Sequence, residues 1–204
     1  MNGFERRREQ NKERIRRAAL ELFKVSGFKK VSINNIAEKA AVSPVTIYNN
    51  FGSKEDLVRD VIKRLMLSTK EKYRAIIEGE KPFLEKLELI IFDKTDLSRR
   101  YNGELIQEVA SNDPKIQQLL ESMYQQEVSQ RLVNFFEEGK RLGYVNPKLS
   151  QEGILLYSDI FRKGFFAHTD LFVVPEHNVK LLRELFSLYL YGLMGKRGGS
   201  SDAK

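Results

Sequence analysis

Apolar residues recur at helical spacing along almost the whole chain, and this periodicity most constrains the fold. In the stretch 9–26, Ile15, Ala18, Ala19 and Leu22 fall three to four residues apart, which places them on one face of a helix. Sustained alternation of apolar and polar residues, the pattern of a half-buried strand, is nearly absent. The sequence therefore predicts an all-α fold.

Serine, proline and glycine predict where the helices begin and end. Ser32, Ser43 and Ser53 are suited to cap three successive helices, Pro44 falls in a first turn, and Gly27 can end the first helix in a left-handed conformation. Further helices are predicted over about 53–77, 82–94, 97–111, 114–142, 150–170 and 176–194. The predicted architecture is a small three-helix domain, a long connecting helix and a larger helical bundle.

The excess positive charge lies in the first quarter of the chain. Residues 1–54 hold 12 Lys and Arg against 5 Asp and Glu, whereas the other 150 of the 204 residues hold 23 of each. A basic run is often an ordinary solvated surface. A whole subdomain that carries all the excess, beside a neutral remainder, favours a polyanionic partner.

Composition and motifs argue against several other classes of protein. The chain has no Cys and therefore no disulfide or thiolate metal site, and it has neither a signal-peptide pattern nor an apolar run that could span a membrane. An enzyme is the main alternative, but two His and scattered carboxylates form no credible triad, and His168 with Asp170 provides too few metal ligands. We expect a cytoplasmic protein without membrane association, catalytic activity, metal or cofactor.

The segment 32–51 has the pattern of a helix-turn-helix unit. Two helices of roughly eight residues are joined by the turn 41–43, and the small Ala37 lets the second helix approach the first closely. Such a unit lays its second helix in the major groove of DNA. The residues expected to close a core against Leu22 and Phe23 are Ile36, Ala40, Val42, Ile47 and Phe51.

The second helix of this unit carries polar residues that suit DNA. Thr46, Asn49 and Asn50 can hydrogen-bond to base edges or phosphates, and an Asn side chain fits the N6/N7 edge of adenine. Tyr48 can contact the sugar-phosphate backbone. Lys54, at the start of the fourth helix, can bind a phosphate together with the helix N-terminus. Ordinary surface polarity is the alternative, and the basic excess on the same subdomain favours DNA binding.

Residues 14–58 resemble the DNA-binding domain of the TetR/AcrR family of bacterial transcriptional regulators. The segment reads RIRRAALELFKVSGFKKVSINNIAEKAAVSPVTIYNNFGSKEDLV. The features that carry the resemblance are AA-x-x-LF-x-x-x-GF, VS-x-x-x-IA, AAVSPVTIYNNF and the SKEDL that opens the fourth helix. The chain length and the all-helical remainder also fit this family.

The resemblance implies which residues contact DNA. The turn carries Ala41 where the family commonly has Gly, which costs about 1 kcal/mol if the position needs a positive φ. Asn49 and Asn50 replace the aromatic or His residues that are usual at the end of the recognition helix, so the operator preference is expected to differ. The implied DNA-binding residues are Asn34, Ser43, Val45, Thr46, Tyr48, Asn49, Asn50 and Lys54.

The resemblance further implies a ligand-responsive regulator, by default a repressor, that binds a palindromic operator as a homodimer and is released by a small lipophilic effector. It implies a helix-turn-helix domain over 8–65, an effector-binding and dimerisation domain over 66–196 and a flexible tail over 197–204. By periodicity alone, the aromatic residues of the larger domain fit a packed core as well as a pocket. The expected effector-binding residues are Phe92, Tyr101, Tyr124, Phe136, Tyr157 and Phe161.

The last two long helices are too apolar for a single buried face, which favours a dimer interface. A pair of helices buried within one chain is the alternative. The residues expected at the interface are Ile154, Phe165, Leu182, Phe186, Tyr189 and Leu193. A second alternative for the whole protein is a non-specific architectural DNA binder, which would need neither a pocket nor a large neutral domain.

Overall fold

The structure, a computed structural model, describes residues 3–100, 113–168 and 177–194. Within these ranges the chain is helical, and the β pairing there is one isolated bridge between Val145 and Met194. The helices are α1 (Gly3–Lys30), α2 (Ile33–Ala40), α3 (Pro44–Phe51), α4 (Lys54–Glu78), α5 (Phe83–Arg100), α6 (Pro114–Met123), α7 (Ser129–Arg141), α8 (Gln151–Ala167) and α9 (His177–Tyr191). A π-helical turn, Tyr124–Val128, joins α6 to α7.

Side chains next to the helix start define α2, α3 and α4 as the sequence predicts. The Ser32 hydroxyl accepts a hydrogen bond from the Asn35 amide at 3.1 Å, and the Asn35 carboxamide accepts one from the Ser32 amide at 2.9 Å, which forms a reciprocal capping box. Ser43 and Ser53 cap α3 and α4 through their hydroxyls in the same manner. Gly27 has the expected positive φ, 71°, and it kinks α1 rather than ending it.

The first hydrophobic core joins α1, α2, α3 and the start of α4. The side chains predicted to close it lie in one cluster, with Ile36 and Ile47 fully buried and Val42 and Phe51 at its margin. Ile116 of α6 is also buried in this cluster, although it is remote in sequence. The core of the N-terminal region is therefore completed by a residue of the second region.

Helix α4 connects the two regions. Its first half contributes Leu57, Val58, Val61 and Ile62 to the first core, and Ile77 near its end packs against the second. The second core is formed by Phe83, Leu87, Phe135, Phe136, Val145, Ile154, Leu190 and Leu193. The domain boundaries at 65 and 66 stay a prediction.

Two helix bounds differ clearly from the sequence-based expectation. Helix α1 starts at Gly3 rather than near residue 9. Helix α5 runs to Arg100 without the break expected between 94 and 97, because no Pro or Gly interrupts the chain there. The rest of the helix predicted over 97–111 lies outside the described residues, as does the tail over 197–204. No helix in the described ranges is long and apolar enough to cross a membrane.

Candidate DNA-binding surface and effector region

A single buried side chain anchors helix α3. Ile47 is fully buried in the first core, and it is the only buried residue of α3. Ser43 starts the helix by accepting a hydrogen bond from the Thr46 amide at 3.1 Å, and Gly52 ends it with a φ of 86°. Because the helix is attached along one side and capped at its start, its opposite face lies on the surface.

The predicted DNA-binding residues of α3 fall into two groups. Val45, Tyr48 and Asn49 are exposed, with 64% of Val45 and 50% of Tyr48 accessible. Thr46 and Asn50 are half-buried and bonded within the helix. The Thr46 hydroxyl lies 2.9 Å from the Ser43 hydroxyl, and the Asn50 amide nitrogen donates to the Thr46 carbonyl at 2.7 Å.

The Asn50 carboxamide therefore stabilises its own helix in this conformation. Its oxygen is buried and has no hydrogen-bond partner, and an unpaired buried oxygen lowers the stability of the fold. The role of Asn50 in DNA binding stays a prediction, and the geometry makes Asn49 the more accessible of the two asparagines. An interpretation based on residue type alone cannot separate these adjacent positions.

Two further predicted contacts flank α3. Asn34 is exposed in the first turn of α2. Lys54 is the first residue of α4, and its amine lies 3.5 Å from the carbonyl of Lys29. The Ser53 hydroxyl caps the start of α4 by accepting from the Asp56 amide, and the DNA contact of Lys54 stays a prediction.

The turn between α2 and α3 contains a residue in the left-handed conformation. This is the conformation for which the sequence predicts a cost at Ala41. Ala41 has φ 50° and ψ 53°, and it is the one non-glycine residue with a positive φ within the described ranges. Two hydrogen bonds stabilise the turn, because Arg14 of α1 donates to the carbonyls of Ala40 at 2.6 Å and Ala41 at 2.9 Å. The left-handed turn is thus formed without glycine.

Sequence reasoning missed a buried arginine behind α3. Arg16 donates to Asp60 of α4 at 2.6 Å and to Glu9 at 2.8 Å, and its guanidinium lies 5.7 Å from the ring centre of Phe51. Burial opposes the charged form, but the hydrogen bonds that Arg16 donates to Asp60 and Glu9 outweigh it and raise the pKa of Arg16. The sequence did contain a signal for this burial. Arg16 lies seven residues before Phe23, and this spacing places both residues on the buried face of the helix.

A second arginine links the two regions. Arg59 of α4 donates to Asp113 at 2.7 Å, and Asp113 also accepts from the amide of Lys115 at 2.9 Å at the start of α6. The hydrogen bond from Arg59 lowers the pKa of Asp113 although burial opposes this, and the backbone bonds lower it further. Together with buried Ile116, this pair connects α6 to the helix that follows the recognition helix.

The predicted effector-binding residues lie in several places. Phe136 is buried in the second core, where Phe135 and Phe83 stack at 4.7 Å between ring centres. Tyr157 and Phe161 of α8 both stack on Tyr189 of α9, at 5.2 and 4.4 Å. Tyr101 and the side chain of Phe92 lie outside the described part of the chain.

Tyr124 occupies a distinct site between the π-helical turn and α8. Its ring is buried under the Arg162 guanidinium, 4.4 Å from the ring centre, and its hydroxyl has no hydrogen-bond partner. Arg162 donates to Asp159 at 2.6 Å and to Glu121 at 2.9 Å, while its Nε also lacks a partner. Burial raises the pKa of the Tyr124 hydroxyl, which keeps it a neutral donor. Two buried donors without acceptors therefore lie close together.

The residues predicted for the dimer interface are mostly inside the single chain. Ile154, Leu182, Phe186 and Leu193 are buried without any partner subunit, and Phe165 and Tyr189 are half-buried. They face inward because α8 and α9 pack on each other and on the second core. The apolar side chains that these two helices expose are others, namely Leu156, Tyr157, Ile160, Leu188 and Tyr191.

The N-terminal region matches a known family in sequence. Residues 15–61 match the family model described as bacterial regulatory proteins, tetR family. The uncharacterized HTH-type transcriptional regulator YvdT of Bacillus subtilis is 30% identical over 94 residues, which are 46% of this chain and 48% of YvdT. The sequence likeness thus spans about half the length of this relative.

Solved structures extend the likeness to the rest of the fold. A protein from Saccharomonospora viridis, described as a transcriptional regulator and solved with choline, has a TM-score of 0.71 at 17% identity, over 92% of this chain and 100% of its own. FadR of Bacillus subtilis, solved with stearoyl-CoA, has a TM-score of 0.58 at 20% identity, over 89% and 98%. At such identities the likeness concerns the fold. Residues 15–61 therefore match the tetR family of bacterial regulatory proteins in sequence, and the described chain shares the fold of the solved structures.

Proposed function

We propose that this protein is a ligand-responsive transcriptional regulator, a repressor by default, that binds a palindromic operator as a homodimer and is released by a small lipophilic effector. The observation that carries the proposal is the exposed face of α3. Val45, Tyr48 and Asn49 project from a capped helix that Ile47 attaches to the core. A helix presented in this way can enter the major groove, with its N-terminal residues at the base edges.

The charge of the N-terminal region supports the DNA partner. All of the net charge of +7 resides in residues 1–54, and phosphate neutralisation supplies most of the affinity of non-specific DNA binding. One helix-turn-helix unit reads only a short half-site. A homodimer would place two recognition helices about 34 Å apart, in successive major grooves of one face of the duplex.

The exposed apolar side chains of α8 and α9 support the homodimer. Ile160 and Leu188 are 60% and 68% accessible in the single chain, and an apolar surface of several such residues indicates a protein contact. A two-fold axis would bring the same patch of two copies together. These exposed residues, and not the buried ones predicted from periodicity, are the interface that we propose.

The unpartnered donors between α6 and α8 support an effector pocket. The hydroxyl of Tyr124 and the Nε of Arg162 are buried without acceptors, and a ligand oxygen would satisfy both. Choline and stearoyl-CoA are bound in the two solved relatives. For this chain we propose a small, largely apolar molecule that carries a hydrogen-bond acceptor. Its binding would move α6, and through Ile116 and Arg59 the DNA-binding region.

Footprinting on the DNA that flanks the protein's own gene tests binding and specificity together. We expect a palindromic protected site, bound at least about 10³-fold more tightly than random duplex at physiological salt. Adding candidate lipophilic carboxylates, alcohols and esters should release the site for at least one of them. Equal affinity for the site and for random duplex would instead support an architectural DNA binder.

Two substitutions test the docking geometry. Tyr48→Ala and Lys54→Ala each remove a proposed contact with the sugar-phosphate backbone, and we expect each to weaken operator binding by about 1–3 kcal/mol without changing the oligomeric state. Lys63→Ala is the matched control, since Lys63 is exposed on α4 about 14 Å further along the helix than Lys54. Normal binding by both test variants would show that α3 does not dock as proposed.

A further inference from the structure

The N-terminal half of α1 extends beyond the first hydrophobic core. The first buried residue of the helix is Ile15, and every residue from 3 to 10 is exposed. Helical segments of this length are marginal in water unless something packs against them. The sequence-based prediction started this helix only near residue 9, because no apolar stripe marks the earlier turns.

The carboxylates of this segment are paired with other arginines. Glu9 and Glu13 contact Arg16 of α1 at 2.8 and 3.4 Å and Arg64 of α4 at 3.5 and 3.9 Å. The opposite side carries three arginines and two amides at spacings of three and four residues, which place them on one helix face. This arginine face consists of Arg7, Gln10, Asn11, Arg14 and Arg17, and these residues line one shallow depression together with Glu13.

One member of the face lies at the start of the recognition helix. Arg14 donates to the carbonyls of Ala40 and Ala41 at 2.6 and 2.9 Å, so it contacts the turn directly before Ser43. From Arg14 the arginine face continues towards the N-terminus of α1 through Asn11, Gln10 and Arg7, and Arg17 lies one turn in the other direction. The face is therefore continuous with the surface that we propose to meet DNA.

We infer that the arginine face binds phosphates of the duplex next to the bases that α3 reads, a contact that rests on the proposed function. Residues 3–17 hold 7 Lys and Arg against 3 Glu, and two of these carboxylates face the protein. Arginine, asparagine and glutamine side chains are the usual donors to phosphate oxygens. From Arg7 to Arg17 the face is about 15 Å long, long enough to reach across the roughly 6 Å minor groove.

Salt dependence of DNA binding measures this contact. The test variant is Arg7→Gln with Arg17→Gln, which leaves the structural Arg14 in place and keeps good helix formers at both sites. Fluorescence anisotropy would follow binding of a 40-bp random duplex and of the duplex that flanks the protein's own gene, from 50 to 200 mM salt. For each protomer we expect the slope of log K against log salt to become shallower by about 1.8, so that the affinity lost over this range shrinks about tenfold.

Preference for one sequence over another provides a second readout. Phosphate contacts carry no direct sequence information, so the double variant should bind both duplexes more weakly and keep the ratio between them. A variant that lowers only the specific affinity would overturn the inference, because it would assign these arginines to base readout.

A charge-matched control separates a local contact from a general charge effect. Arg141→Gln with Lys148→Gln removes two exposed cations from the second region, and we expect it to keep the wild-type slope. An equal loss of slope in this control, or an unchanged slope in the test variant, would overturn the inference while the proposed function stands. Failure of the wild-type protein to bind either duplex would overturn both.

Discussion

The two regions of this molecule differ in the side chains that they expose. The N-terminal region packs α3 on apolar side chains and one buried charged residue, Arg16, and presents polar side chains such as Tyr48 and Asn49 to solvent. The C-terminal region exposes Leu156, Ile160 and Leu188 and buries charged or hydroxyl groups. The first arrangement suits a hydrated, anionic partner, and the second suits an apolar surface on a protein partner and a polar group on a ligand.

Buried and capping hydroxyl groups also have different partners in the two regions. Around α2 and α3, the Ser32 and Ser43 hydroxyls bond to groups three residues away. In the second region, buried Ser158 bonds to the Tyr189 hydroxyl at 2.6 Å across two helices, and burial raises the pKa of Tyr189 to about 12 although this bond opposes the shift. Local caps therefore define the ends of the short helices in the first region, whereas the bond between Ser158 and Tyr189 joins α8 to α9 in the second region.

The largest expected effect is the loss of the anchor of α3. Ile47→Ala removes a fully buried side chain and should lower the free energy of unfolding by about 2–5 kcal/mol, because the cavity cannot fully collapse. Chemical denaturation measures this change, and DNA binding should fall with it. Val45→Ala on the same helix is the control and should change stability by less than about 0.5 kcal/mol. Equal stability of the two variants would show that α3 is not attached through Ile47.

The next effect concerns the apolar surface of the second region. Ile160→Lys and Leu188→Lys each place a charge on the proposed interface, and the two-fold symmetry repeats each change. We expect a dimer dissociation constant at least about tenfold higher for each variant, measured by sedimentation equilibrium. Leu142→Lys, also at an exposed apolar position, should leave the dimer intact. A Leu142→Lys variant that dissociates as readily would move the interface elsewhere.

A smaller effect is expected at the turn before α3. Ala41 has a left-handed conformation, so Ala41→Gly should raise the free energy of unfolding by about 1 kcal/mol. For a chain of this size, that corresponds to a rise in Tm of about 2–4 °C. Glu38→Gly, in the interior of α2, should instead destabilise by about 1 kcal/mol. Destabilisation by both glycines would mean that Ala41 is not strained.

The smallest effect is the pH dependence of the link between the regions. The hydrogen bond from Arg59 lowers the pKa of Asp113 below its ordinary value of 3.8. The ionised carboxylate therefore contributes stability that is present above pH 3.8 and is lost as the pH falls through the lower, folded-state value. Relative to Asp113→Asn, the wild-type protein should have a higher Tm at neutral pH, and the difference should shrink on acidification. A difference in Tm that grows on acidification would mean that the ionised Asp113 carboxylate destabilises the fold.

Sequence reasoning predicted the N-terminal region closely because its determinants are local. The caps at Ser32, Ser43 and Ser53 and the apolar spacing around Ile47 act within a few residues, so they can be recognised without a structure. The same reasoning placed the dimer interface on buried residues such as Leu182. Periodicity identifies an apolar helix, but it does not say which apolar face meets its own chain.

By itself, the sequence determined the all-helical class, the position of the helix-turn-helix unit and the family that residues 15–61 match. Tertiary structure alone decided that Arg16 is buried between carboxylates, that Asp113 binds Arg59 and that Ile116 completes the first core. The physical reason is the range of the interactions. A cap depends on neighbours along the chain, whereas these contacts join residues 44 to 54 positions apart or complete a core from another helix, and folding is needed to bring them together.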